Sequence, residues 1–263
     1  MSALFVEGVS ILAPGLIGWN ASRAVLTGER PYHAAALPPL AANLLPANER
    51  RRVTALVKLA LHLAQEAVAM ADCDPRTVCT VFASSGGDSE VLDQICAALT
   101  LPDRPVSPTY FHQSVHNTPA GYWAIATGCA RASTSLSAYD GSVAAGLLEA
   151  AALALTEATP VLLVACDLPP PFPLLEHRPL TAPFGMALLL NPTATAPRLA
   201  TLQVRPVGHR APTTLADPDL EALRRGNPAA RALPLLQTIA CATSGRIILA
   251  DEGEIAVNVD IEP

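Results

Sequence analysis

The feature that most constrains this chain is a strand–turn–helix–strand pattern between Ser114 and Asp167. Ser133-Thr134-Ser135-Leu136-Ser137 reads as a short strand, and Ala138-Tyr139-Asp140-Gly141-Ser142 as the turn that closes it. A helix of small residues follows from about Val143 to Leu155, and the apolar run Val161–Ala165 reads as a buried strand. Enzymes use such a turn to aim a nucleophile at a helix N-terminus, where free N–H groups stabilise a developing anion. Here the turn offers Tyr139 and Asp140 in place of a strong nucleophile. A phenol as a class ionises at roughly pH 10, too high to stand in for a thiolate.

The flanking segments supply the rest of an α/β layout. Leu4–Leu12 predicts a first strand, and a proline- and alanine-rich connection spans 28–48. Val53, Leu56, Val57, Ala60, Leu61, Ala64 and Val68 recur at helical spacing, with Asn48 as the expected N-cap. Val78–Ala83 predicts a short buried strand. Ser84-Ser85-Gly86-Gly87-Asp88 turns it into a helix carrying Leu92, Ile95, Cys96 and Leu99 on one face. That turn lacks the Gly-Lys-Ser/Thr of a nucleotide phosphate loop. Pro169–Pro173 can be neither helix nor central strand, because proline lacks the donor that both need. Further strands are expected at Phe184–Leu190 and Leu199–Val207, then a helix at Pro234–Ala240. A hairpin is expected from Ile247–Ala250 and Ile255–Val259 around Asp251-Glu252-Gly253.

Composition narrows the function classes. Hydrophobic residues make up 51% of the 263 and charged ones 15%, which suits a chain that buries surface against a partner. The net charge of −6 excludes a nucleic-acid platform, which needs clustered Lys and Arg. No apolar run reaches the roughly 18 residues of a membrane span. The first residues, Met1–Glu7, lack the basic region of an export signal. The six cysteines show no C-x-x-C spacing, so the expectation is reduced thiols in a cytoplasmic protein with no metal or cofactor.

The central block resembles the β-ketoacyl synthases of fatty-acid and polyketide assembly. Ser137-Ala138-Tyr139-Asp140-Gly141-Ser142 falls where that family carries a pattern like T-A-C-A-S-G, which sets Tyr139 at the reactive cysteine's position. Asn117-Thr118-Pro119-Ala120-Gly121 resembles the family's N-x-A-A-G, and Pro183–Leu190 the strand after its G-E-G-A. More narrowly, SVHNTPAGYWAIATG and Asn227–Leu236 resemble the short chain length factors found with ketosynthases in aryl-polyene and xanthomonadin-type clusters. The resemblance implies a thiolase-like layered α/β fold in one ketosynthase-like domain, residues 1–263. Its N-terminal half is complete (core 1–190) and its C-terminal half abbreviated (191–263). It also implies a non-catalytic subunit that heterodimerises with a cysteine-bearing β-ketoacyl synthase and serves an acyl carrier protein, directly or through that partner.

In that arrangement Ser133, Thr134, Ser135, Leu136 and Ser137 would pair across a two-fold axis. Tyr139 would plug the pocket once served by cysteine. The family's H-G-T-G-T is matched only by Gly208-His209-Arg210-Ala211-Pro212, a loop in character, and Cys129 reads as a structural thiol. The competing reading is a stand-alone thioester hydrolase or decarboxylase that uses Asp140 and His116. Against it, Asp140 suffices as a favourable charge at a helix N-terminus, and Asn117 as a cap with His116 at an interface. Glu49-Arg50-Arg51-Arg52 is either a patch for an acidic carrier or a solvated helix turn.

Overall fold

The computed structural model describes residues 3–194, 197–250 and 255–263. Strands β1 (Leu4–Ala13) and β2 (Leu16–Ile17) precede helix α1 (Trp19–Leu26). The single turn α2 (Ala47–Arg50), the long helix α3 (Ala55–Met70) and β3 (Cys79–Ala83) come next. Helices α4 (Ser89–Leu99), α5 (Pro108–Gln113) and α6 (Thr118–Thr127) lead into β4 (Ser133–Leu136), α7 (Ser142–Glu157) and β5 (Val161–Asp167). The chain finishes with α8 (Leu174–His177), β6 (Phe184–Asn191), β7 (Ala200–Gly208), α9 (Pro218–Gly226), α10 (Leu233–Ala240), β8 (Gly245–Leu249) and β9 (Ile255–Glu262).

Among the described residues nine strands form one mixed sheet in the order β4-β3-β5-β6-β1-β7-β9-β8, with β2 on β1. The β4-β3-β5 ladders are parallel and the others antiparallel. In β5, Val161, Leu163 and Ala165 join one hydrophobic cluster, while Leu162, Val164 and Cys166 join the other. Helix α7 covers the first face and α3 the second, so both faces of β5 are dry. This explains why β5 and β6 read as continuous apolar runs rather than alternating ones. Gly146 lets α7 approach closely, since a Cβ there would lie 3.0 Å from Ala83 Cβ and 3.1 Å from Leu163 Cδ1.

The two margins of the sheet differ. At β8, Ile248 N–H donates to Thr213 Oγ1 (2.9 Å) and Thr213 N–H donates to Ile248 O (3.0 Å), so a loop covers that edge. At β4, Thr80 N–H donates to Ala132 O and Ser84 N–H to Leu136 O, which turns the even-numbered carbonyls toward β3. By alternation, the backbone groups of Ser133 and Ser135 face outward, and β4 is an edge strand.

Three local expectations change. Asn48 lies inside α2, and Thr54 caps α3 instead, its Oγ1 accepting from Val57 N–H at 3.3 Å. The apolar face of α4 points to solvent: Val91 is buried, but Leu92 and Leu99 are each 50% exposed. The turn Asp251-Glu252-Gly253 lies outside the described residues, although β8 and β9 do pair antiparallel.

Candidate functional site

The turn between β4 and α7 keeps the backbone of a nucleophile elbow. Tyr139 has φ 51°, a left-handed conformation that costs a non-glycine residue energy and persists where surrounding structure enforces it. Ser142 provides the clamp: its Oγ accepts from Ala138 N–H at 3.0 Å and donates to Tyr139 O at 2.7 Å. Helix α7 starts immediately after the short turn Tyr139–Gly141. Tyr139 is 61% exposed in the isolated chain.

Asp140 caps nothing. Its Oδ1 meets Arg178 at 2.5 Å and its Oδ2 meets Arg231 at 2.6 Å. The Arg178 guanidinium also lies over the Tyr139 ring, 3.7 Å from the centroid. Each carboxylate oxygen of Asp140 is thus ion-paired to a guanidinium. His116 stands elsewhere, beside the Gly87 turn, where a Cβ on Gly87 would come within 3.3 Å of its Nδ1. The structure therefore does not assemble His116 and Asp140 into an acid–base pair. Asn117 precedes α6 without a side-chain cap bond; Thr118 Oγ1 donates to Val115 O instead, at 2.7 Å.

Behind the elbow lies a buried polar network that sequence reasoning missed. Asp167, 3% exposed at the end of β5, accepts on Oδ1 from Ser84 Oγ (2.9 Å), Ser85 N–H (2.7 Å) and Ser85 Oγ (2.9 Å). Burial holds its carboxyl above the usual range, opposed by those hydrogen bonds and by Arg178. Asn227, fully buried, donates to Asp167 O (3.1 Å) and Ala182 O (2.9 Å) and accepts from Ala229 N–H (2.8 Å). The C-terminal segment is thus pinned to the end of β5. Ser137 Oγ donates to Ser85 O at 2.9 Å and joins β4 to the same turn. The Ser84–Asp88 turn serves α4, with Asp88 accepting from Val91 N–H at 3.2 Å.

No cysteine occupies the elbow. Cys129 is half-buried near the start of β3, its Sγ 3.4 Å from Val78 O, so the length of β4 separates it from Tyr139. Cys166 shares a cavity with His116, Ser84 and Phe82, but that space is about 20 Å³, room for a single water. Burial, then Asp167 and Asp88, pushes the Cys166 thiol far up, so it stays protonated. Among the described residues no group of His, Cys, Asp and Glu is arranged to hold a metal, and no helix is long and apolar enough to cross a membrane.

Around the elbow and α4 the surface is apolar. Leu92, Phe172 (71%), Leu174 (38%) and Leu175 (39%) are exposed, and Phe111 (68%) lies on α5, which packs on α4. Arg50, Arg51 and Arg52 are all solvent-exposed, on and just after the single turn α2.

No curated protein shows significant sequence similarity to the chain. Solved structures do match. One is the ketosynthase ApeO in complex with its chain length factor ApeC from Xenorhabdus doucetiae, at 22% identity over 98% of this chain and 99% of that one, TM-score 0.74. Another is the ishigamide ketosynthase/chain length factor, at 14% identity over 99% of both chains, TM-score 0.75. A third is AntDE:AntF, a type II polyketide synthase acyl-carrier protein in complex with its ketosynthase, at 11% identity over 99% of both chains, TM-score 0.78. At these identities the likeness establishes the fold, the layered α/β arrangement of thiolase-like ketosynthases. The profile of the family described as beta-ketoacyl synthase, N-terminal domain, matches residues 23–242, and the chain belongs to that family.

Proposed function

We propose that this chain is the subunit of a ketosynthase heterodimer that lacks a cysteine at the elbow, a chain length factor in kind. The observation that carries the reading is the elbow: its left-handed backbone is retained at Tyr139 while the thiol is gone. Support comes from the neighbours described as ketosynthase–chain length factor complexes. The open β4 edge supports it too, since outward N–H and C=O groups at Ser133 and Ser135 can extend a sheet into a partner.

In this reading Ser133–Ser137 pairs with its counterpart on a cysteine-bearing β-ketoacyl synthase, and the exposed apolar side chains beside it are buried on association. The subunit supports the partner's fold and helps shape the tunnel for a growing polyene or polyketide chain of the aryl-polyene type. The complex, working in the cytoplasm on acyl carrier protein substrates, performs the condensation. Among the described residues the elbow carries no thiol and His116 and Asp140 do not pair, so in this reading the chain alone turns over no thioester.

The test is co-expression with the cognate ketosynthase, followed by measurement of complex mass and of condensation. A one-to-one complex with activity absent from either chain alone is expected. Robust thioester hydrolysis by the isolated chain, lost in Asp140→Asn, would overturn the reading.

A further inference from the structure

Among the described residues, two guanidiniums at the elbow, Arg178 and Arg231, share the single carboxylate of Asp140. The next acid, Asp167, is buried and spends its Oδ1 on Ser84 and Ser85, so it presents no carboxylate at the surface beside Arg178. The surplus positive charge lies near the surface: Arg178 keeps 20% of its side-chain exposure and lies over Tyr139, a residue 61% exposed.

The surroundings of this cation are those of a surface that is meant to be covered. Arg178 lines a shallow cavity with Leu92, Leu174, Pro170 and Asp167, and the rim residues Leu92 and Leu174 are exposed. Ser85 lines the same cavity and accepts from Ser137, at the end of the open edge strand. A partner that closes over this rim desolvates Arg178, which is unfavourable unless the partner brings an opposite charge. Tyrosine and arginine are the side chains that most often anchor interfaces, and this pair is already ordered by its stack and by Asp140.

We infer that Tyr139 and Arg178 form a docking anchor, and that the partner subunit sets a carboxylate side chain against Arg178. The former nucleophile position thereby becomes a recognition element. This inference rests on the heterodimer reading.

The test is the affinity of the full chain for its cognate ketosynthase at low and high salt (about 50 and 300 mM). Wild type, Arg178→Met, Arg178→Lys and Ser135→Pro are compared. Arg178→Met is expected to weaken binding about tenfold at low salt and to flatten the salt dependence. Arg178→Lys keeps the salt dependence but binds more weakly than wild type, because an ammonium does not stack as a planar guanidinium does. Wild-type affinity and salt dependence in Arg178→Met, with binding lost in Ser135→Pro, would overturn the anchor and leave the heterodimer standing. Wild type that binds no ketosynthase would overturn both. If Arg178→Met fails to fold by circular dichroism, an acid-to-amide scan of the ketosynthase decides. One carboxylate whose removal reproduces the loss is expected, and none would overturn the anchor.

Discussion

Arg178 lies over the face of Tyr139 at 3.7 Å while its guanidinium meets Asp140 at 2.5 Å, so one side chain holds both residues of the elbow. Fixing two neighbours through one cation makes Asp140 the keystone of the turn. Asp140→Ala strands two half-buried guanidiniums against each other and should cost about 1–3 kcal/mol of unfolding free energy. Urea denaturation of the isolated chain measures it, and an unchanged midpoint would refute it.

Asn227, fully buried, joins three backbone groups, Asp167 O, Ala182 O and Ala229 N–H. Asn227→Ala should therefore destabilise by about 3 kcal/mol, near the top of the usual range for a single substitution. Proteolysis should then begin in the segment after residue 191, where the pin is lost; cutting elsewhere first would count against this role.

Asp167 predicts a pH signature. Its folded carboxyl is raised above the unfolded value of about 3.9, so the native state binds more protons through that window and loses stability as pH rises through it. Asp167→Asn removes the penalty while the amide oxygen still accepts from Ser84 and Ser85. The variant should melt higher than wild type at pH 7, with the gain shrinking as pH falls toward roughly 4. Calorimetry across pH 4.5–8 checks this; a gain independent of pH would contradict the assignment.

The β4 ladder separates two prolines. Thr134 directs its backbone toward β3, so Thr134→Pro breaks the chain's own sheet and should lower stability by about 1–3 kcal/mol. Ser135 directs its backbone outward, so Ser135→Pro should leave the melting temperature nearly unchanged and abolish heterodimer formation. Sedimentation with and without the ketosynthase reads both effects.

Restoring a thiol should not restore chemistry. Tyr139→Cys puts sulphur at the elbow, but His116 lines a separate cavity and Asp140 is held by two arginines. The variant chain alone should react with iodoacetamide yet neither decarboxylate a malonyl thioester nor condense it, which a carbon dioxide assay reads directly.

Much of this arrangement was legible in the residues. The runs Val161–Ala165 and Phe184–Leu190 had to be two-sided strands because their apolar character is unbroken, and both are. The elbow was readable from five consecutive residues, since strand, turn and helix have separate local signatures. What escaped was long-range. Asp140 looked like a helix cap because local electrostatics suffice for one, whereas its partners are 38 and 91 residues away. Asp167 and Asn227 carry no local motif; their roles arise when the end of β5 meets the C-terminal segment. The α4 stripe was visible, but periodicity reports that a face is apolar and not what covers it.

The stitch between Thr213 and Ile248 bears on how large an assembly can become. A sheet with two bare margins can add copies without limit and grow into a ribbon; one with a single bare margin accepts one neighbour and then has nothing left to offer. In the heterodimer reading, sealing β8 leaves β4 as the edge open to a partner, so growth through strand edges ends at a pair.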